Sequence, residues 1–204
     1  IDVLLCGWTC VDMSSANKKG QGLRGQKSNV FCTARELLRI VRILWPRLDF
    51  VFECTWFKDK HWRDWEFVSD TLGVQPVKLD AGHVAAAWRK RAFWASFPIL
   101  ELLKRAVKPC DVLGEGRRAT WRWQDKLPTI MASGSQSWNQ TECVETWNGV
   151  WWMKGPLAIG EVEVLMGFYE GITEGIVVNG VEISERQRWR ALGNAIHASV
   201  MCHL

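Results

Sequence analysis

The stretch "IDVLLCGWTCVDMSSANKKGQGLRG", residues 1–25, decides how the chain is read. An apolar run ends in Cys6-Gly7, Cys10 follows in a short turn, and a polar loop over 11–27 carries Gly20, Gly22 and Gly25. A short, continuous apolar run closed by glycine has the pattern of a buried parallel strand. The reading predicts such a strand over Ile1–Cys6, with a thiol presented just past its carboxyl end.

Working outward, Ser28 is the expected N-cap of a helix. Phe31, Ala34, Leu38, Val41 and Leu44 or Trp45 then recur at helical spacing until Pro46 stops the pattern. Leu48–Glu53 reads as a second buried strand, Trp65–Leu72 as a helix ending at Gly73, and Val74–Leu79 and Arg91–Phe97 as strands. This alternation predicts an α/β fold with a largely parallel sheet. Residues 108–156 are rich in Trp, Gly, Ser, Thr and Asn and lack helical period, which predicts an irregular insertion or small subdomain. Gly160–Met166 reads as helical, and Ser184-Glu185-Arg186-Gln187 as a capping box opening a last helix. The expected organisation is a core over 1–107, an insertion over 108–156 and a return to the core over 157–204.

The bulk composition bounds this picture. A chain of 204 residues that is 48% hydrophobic suits one domain with a sizeable core and room for a subdomain. A net charge of +4 is compatible with a nucleic-acid partner without requiring one. With no leader and no apolar run of about 18 residues, the expectation is a soluble, non-secreted chain without a membrane partner. Seven scattered cysteines with no CxxC pair, and four histidines that do not cluster with them, argue against a disulfide framework or metal site and fit a reducing compartment. Most of the 14 tryptophans are assigned to packing.

Reactive groups in open α/β sheets gather at the carboxyl ends of strands. Cys10 lies just past one such end, Glu53 ends the next strand, and Arg89 and Arg91 lie on or just before a third. Each has an ordinary reading: a small buried hydrophobe, a salt-bridged carboxylate, a solvated basic face. The order in which they occur at successive strands sets them apart.

In that order the chain resembles the DNA (cytosine-5) methyltransferases. Gly7-Trp8-Thr9-Cys10-Val11-Asp12-Met13-Ser14 is similar to their Gly-x-Pro-Cys-x-x-x-Ser motif, and Gly22-Leu23 and Ser28 to Leu38 to the loop and helix after it. Phe52-Glu53-Cys54-Thr55 stands in the place of their Glu-Asn-Val motif. Val84 to Trp94, with Arg89-Lys90-Arg91, resembles the Arg-x-Arg region of the de novo type. Met166-Gly167-Phe168 and Arg186-Gln187-Arg188 to Leu192-Gly193-Asn194-Ala195 resemble the last two motifs.

The resemblance implies a partial Rossmann-like, S-adenosylmethionine-dependent methyltransferase sheet with a target-recognition insertion. It implies that Cys10 adds to C6 of a flipped cytosine, so that C5 can attack a methyl donor. Glu53 would hold N3 and the exocyclic amine; Arg91, with Arg89 nearby, would bind the O2 side. Cofactor contacts would include Thr9, Val30, Asn194 and Ala195. Double-stranded DNA would be met by Ser14, Lys18, Lys19 and Arg24 in the loop, whose glycines give it mobility. Arg117 and Arg118 would meet DNA in the insertion, beside Lys108, Arg122 and Lys126 interleaved with Trp121 and Trp123. A nuclear or other intracellular location with access to DNA follows.

Three departures shape the expectations. The family's Gly-rich cofactor loop precedes its catalytic Cys, and this chain starts at the catalytic strand. The expectation is therefore a gene fragment, one half of a split enzyme or a degraded copy, with a separate chain or missing N-terminal segment supplying that loop. Thr9 replaces the Pro before the catalytic Cys, and Trp8 is expected to add bulk at the pocket mouth. Cys54 replaces the Asn of Glu-Asn-Val. The other readings are a catalytically incomplete DNA-binding or regulatory relic, and a tRNA cytosine-5 methyltransferase.

Overall fold

The computed structural model describes residues 2–14, 17–132 and 142–204. Ile1 of the predicted first strand, residues 15–16 of the loop and 133–141 of the insertion lie outside the described residues. The chain divides into two compact units: Ile1–Leu79 with Lys90–Glu101, and Asp80–Arg89 with Leu102–Leu204.

The first unit is built on β1 (Val3–Gly7), α1 (Val30–Leu44), β2 (Asp49–Thr55), α2 (Trp62–Leu72), β3 (Val77–Asp80) and β4 (Lys90–Ala95). The strand order is β1-β2-β4-β3. β1 and β2 are parallel, in a register that sets Gly7 beside Glu53, whereas β4 runs antiparallel to β2 and sets Arg91 beside Thr55. The expectation of a largely parallel sheet is thus corrected to a mixed one. Periodicity reports a strand but not its direction. One consequence matters for the site: Arg91 stands at the amino end of its strand, and the antiparallel turn brings that end to the same sheet edge as the carboxyl ends of β1 and β2.

One sheet face carries the core. Phe50, Phe52 and Cys54 of β2 alternate inward with Ala92 and Trp94 of β4, and pack with Phe31 and Leu38 of α1 and Trp65, Val68 and Leu72 of α2. α1 forms because these inward residues recur at three to four positions, and α2 ends at Gly73 in the left-handed region (φ 70°). Trp8 is 4% exposed, with its ring centroid 5.1 Å from Phe31 and 5.6 Å from Trp94. It belongs to the core and not to a pocket mouth, because a bulky ring after Gly7 fills the space between β1 and α1.

β1 also departs from a fully buried strand. Val3 and Leu5 are each 47% exposed while Leu4 and Cys6 point to the core. β1 is an edge strand with a single hydrogen-bonded neighbour among the described residues. α1 carries a second apolar stripe, Val30, Leu37, Ile40 and Leu44, that remains exposed.

In the second unit the segment read as irregular holds an antiparallel sheet of β5 (Arg117–Ala119), β6 (Val144–Trp147) and β7 (Trp152–Gly155). These strands are three or four residues long, too short to register as a period. There follow α3 (Ile159–Leu165), a hairpin of β8 (Val177–Val178) and β9 (Val181–Glu182), α4 (Glu185–Asn194) and α5 (Ala198–Met201). The capping box of α4 forms as read: Ser184 Oγ accepts from Gln187 N, and Ser184 N donates to Gln187 Oε1 at 2.7 Å. Leu127, Ile130, Val144, Leu157, Val162, Leu165, Trp189 and Leu192 form the core. Inside it Glu163 is fully buried and accepts from Gly171 N (2.6 Å), Thr173 N (3.0 Å), the Thr173 hydroxyl and Arg188 Nη2 (3.1 Å). Burial pushes its carboxyl up, and these donors outweigh that to hold it below the ordinary value.

Candidate active site

The sequence motif around Cys10 becomes a turn at the carboxyl edge of the first unit's sheet. Met13 N and Ser14 N both donate to the Cys10 carbonyl, at 3.1 and 2.8 Å. Trp8 N donates to Glu53 O at 3.4 Å, continuing the β1–β2 ladder one step past Gly7. The Cys10 side chain is half-buried against the core cluster that contains Cys54. Thr9, where the family pattern has Pro, is exposed and uses its carbonyl to accept the Ser28 hydroxyl at 3.0 Å.

Glu53 is 7% exposed near the end of β2, and Arg91 Nε donates to its Oε1 at 2.8 Å. Arg91 Nη1 reaches the Lys90 carbonyl at 2.9 Å. The buried Cys54 thiol is pushed well up, first by desolvation and then by Cys10 and Glu53, with Arg91 acting in the opposite sense. Cys54 therefore sits within electrostatic reach of Cys10, Glu53 and Arg91. The fold assembles the thiol, the carboxylate and one guanidinium of the sequence reading on one sheet edge.

Arg89 has other partners. It is 4% exposed, and its guanidinium donates to the carbonyls of Ile130 (2.9 Å), Gly193 (3.1 Å) and Ala195 (2.5 Å). Its backbone N–H donates to Asp80 Oδ1, which also accepts from Gly82 N, both at 2.9 Å. It ties the segment after β3 to the end of α4 within the second unit. Sequence spacing alone could not tell this guanidinium from that of Arg91.

The loop over 11–27 is also not the open connector its glycines suggested. Met13 and Leu23 are buried. Leu23 N donates to Asp64 Oδ2 at 3.1 Å, and Lys60 Nζ donates to the carbonyls of Ser14 (3.2 Å) and Asn17. A Cβ on Gly20 would overlap the Asp12 carbonyl, and one on Gly25 the Asp12 carboxylate. These glycines permit close approach, which corrects the reading of mobility. Ser28 does not cap α1, whose N-cap is Asn29 without a side-chain bond. Lys18, Lys19 and Arg24 are exposed, as a phosphate contact requires.

In the second unit Arg117 is committed internally. It donates to both Glu161 carboxylate oxygens (2.6 and 2.8 Å), to Thr146 Oγ1 (3.0 Å) and to Pro156 O (2.8 Å). Arg118 is half-exposed, paired with Glu145 at 2.8 Å and stacked 4.0 Å over the Trp152 ring. Lys126 Nζ is held by the carbonyls of Ala85 and Val107 at 2.6 and 2.7 Å. These are structural duties that composition does not reveal. Lys108 and Arg122 remain exposed.

The residues assigned to the cofactor by resemblance fall in both units. Thr9 and Val30 are exposed beside the Cys10 turn in the first unit. In the second, Asn194 is the exposed last residue of α4, and the Ala195 carbonyl is taken by Arg89. Among the described residues no group of three or more His, Cys, Asp or Glu side chains is arranged to hold a metal ion.

Comparison with known structures defines the fold. The fold is that of methyltransferases. The chain matches the Entamoeba histolytica methyltransferase EhMeth with a TM-score of 0.61 at 11% identity, covering 99% of this chain and 75% of that one. It matches S. pombe Dnmt2 methyltransferase with a TM-score of 0.58 at 13% identity, over 99% and 75%. A Spodoptera frugiperda DNMT2 mutant gives 0.59 at 12%, over 98% and 77%. No protein-family model matches the chain. In sequence it is similar to the DNA (cytosine-5)-methyltransferase DRM2 of Oryza sativa subsp. japonica, 27% identical over 172 residues. That alignment takes in 68% of this chain and 27% of the relative, so the chain spans about a quarter of it. Fold and sequence are together consistent with a DNA (cytosine-5) methyltransferase-like family.

Proposed function

We propose that this chain is the catalytic and target-recognition portion of a DNA (cytosine-5) methyltransferase, acting on a cytosine flipped out of double-stranded DNA. The observation that carries the reading is the convergence of the Cys10 turn, Glu53 and Arg91 on one sheet edge. The Cys10 thiolate bonds to C6, and the C5–C6 electron pair moves onto C5 as the ring becomes an enamine. Glu53 holds N3 and the exocyclic amine, so that charge developing on the ring is met by a proton there. Arg91 keeps Glu53 in place through Nε and directs its remaining donors to O2. Once C5 has spent that electron pair on a bond to the methyl group, the C5 proton passes to solvent water, the C5–H pair reforms the C5–C6 double bond, and Cys10 leaves C6 as the thiolate. S-adenosylmethionine would supply the methyl group, with Thr9, Val30, Asn194 and Ala195 assigned to it by the family resemblance. Lys18, Lys19, Arg24 and Arg118 are assigned to DNA, with Ser14 beside them at the Cys10 turn. Arg89 and Arg117 act by holding their segments.

The free edge of β1 and the exposed stripe Val30, Leu37, Ile40 and Leu44 of α1 suit a further strand and helix, from a preceding segment or a separate chain, that would supply the cofactor loop. A location with access to DNA, such as the nucleus, accompanies this reading; no helix among the described residues is long and apolar enough to cross a membrane.

The test supplies the chain, alone or with a partner providing the cofactor half, with S-adenosylmethionine and a duplex containing 5-fluorocytosine, with tRNA carrying the same base in a parallel reaction. A covalent adduct on the Cys10 peptide, formed with duplex DNA and absent from Cys10→Ser, is expected. An adduct that survives Cys10→Ser overturns the assignment, and an adduct with tRNA alone transfers it to an RNA substrate.

A further inference from the structure

We infer that Asp12 is the positioning residue of the Cys10 turn; this rests on the proposed reading for its catalytic consequence. Asp12 lies two residues past Cys10 and engages the returning chain at three places. Its carbonyl accepts Gly22 N at 3.1 Å. Its Oδ2 accepts Lys27 N at 3.2 Å and Ser28 N at 3.4 Å. Gly20 and Gly25 pass so close to it that neither has room for a Cβ.

Neighbouring bonds close the same loop. Asn17 Nδ2 donates to Val11 O at 3.0 Å, and the Ser28 hydroxyl to Thr9 O at 3.0 Å. Ser28 is fully buried. The residues on both sides of Cys10 are thus anchored to the segment just before α1. Through Ser28 that segment is joined to a helix packed on the core by Phe31 and Leu38. The chain lacks a proline before Cys10, the residue that would fix φ there. The Asp12 clamp does the equivalent work from the other side of the thiol: it removes conformational freedom from the turn that presents Sγ.

Both side-chain bonds meet on a single oxygen, Oδ2. This predicts that shape, not charge, is what the clamp needs. In Asp12→Asn one carbonyl oxygen can accept both N–H groups, whereas Asp12→Ala takes the acceptor from Lys27 N and leaves Ser28 N with the Gly25 carbonyl at 3.1 Å.

The experiment follows the full chain by amide exchange at Gly22 and Lys27, and by iodoacetamide alkylation of Cys10 against exposed Cys110 as internal control. Asp12→Ala is expected to speed both by about tenfold, as two modest hydrogen bonds are lost. Asp12→Asn stays within about twofold of the parent, consistent with their retention. In the 5-fluorocytosine reaction Asp12→Ala lowers the rate at saturating duplex per folded molecule, the folded fraction being read by circular dichroism, and leaves half-saturation unchanged. The inference is overturned if Asp12→Ala leaves exchange and Cys10 alkylation unchanged, or if Asp12→Asn behaves like Asp12→Ala. If the parent forms no adduct even with a partner providing the cofactor half, while Cys10 alkylation still responds to Asp12→Ala and recovers in Asp12→Asn, the clamp stands and the methyltransferase reading fails.

Discussion

Arg91 Nε donates to Glu53 Oε1 at 2.8 Å across two antiparallel strands whose register pairs Arg91 with Thr55 and Glu53 with Phe93. The two side chains are therefore diagonal neighbours on one sheet edge, both largely withdrawn from water. Breaking such a pair costs more than forming it returns, because the remaining charge keeps its burial without its partner. Glu53→Ala is expected to destabilise the chain by about 3 kcal/mol in urea unfolding, and Glu53→Gln by clearly less. A double-mutant cycle with Arg91→Met should recover part of the loss. Independent, additive effects would show that the pair is not coupled.

Arg89 is expected to behave differently from Arg91. Its guanidinium bridges three carbonyls in a fixed fork, a geometry that a lysine ammonium cannot copy. Arg89→Lys should lose about 2 kcal/mol of stability and speed amide exchange around residue 130 and the end of α4. Arg91→Lys should act mainly on the chemical step. Equal stability losses for the two variants would contradict this division.

His197 gives the chain an acid-sensitive core. It is 3% exposed, and Nε2 meets the Leu165 carbonyl at 3.0 Å, which places the proton on Nε2. Nδ1 has no partner among the described residues. Burial, with Arg89 nearby and the Leu165 bond opposing, pushes its pKa down to about 4. The folded value lies below the ordinary one, so the unfolded chain binds the proton more readily. Stability is full above pH 6.5 and falls as the pH drops toward 4, by roughly 3 kcal/mol at most. His197→Gln should flatten urea midpoints across that window. The contribution of Glu163, also held below its ordinary value, is lost only in more acid solution, below about pH 4.5. An unchanged slope in His197→Gln would exclude His197 as its source.

Trp8 packs against Phe31, Phe52 and Trp94, yet its indole N–H is buried without a partner among the described residues. Trp8→Ala removes the ring and is expected to cost about 4 kcal/mol. Trp8→Phe loses volume but also removes an unsatisfied donor, whose desolvation penalty is about 1–3 kcal/mol. Its thermal midpoint should lie much closer to the parent than to Trp8→Ala. Similar midpoints for the two variants would show that the N–H finds a partner in solution.

Elements with a long period or a strong stop were legible. The spacing of Phe31, Ala34, Leu38 and Val41 located α1, Gly73 closed α2, and Ser184 with Gln187 opened α4. β5, β6 and β7 were not, because a strand of three or four residues leaves too little alternation to read. Glycines in the loop after Cys10 read as freedom, whereas the clash a Cβ would make with Asp12 shows that they serve close packing. Trp8 read as a surface obstruction because hydrophobic size says nothing of direction.

The sequence by itself determined the order of the chemistry: a thiol after the first strand, a carboxylate closing the second, and arginines around the start of a later one. That order is written in residue types and spacing, and needs no third dimension. Only the tertiary structure decided which groups meet. The antiparallel course of β4 carries Arg91 to the edge where β1 and β2 end, while Arg89, two residues earlier, is captured by three carbonyls. The physical reason is that two arginines of one short segment share a residue type but not a surrounding: Arg91 lies on β4, and Arg89 lies just before it. Hydrogen-bond partners far apart in the chain, such as Glu53 for Arg91 or Gly193 and Ala195 for Arg89, decide which guanidinium stands beside the carboxylate and which is spent on backbone carbonyls.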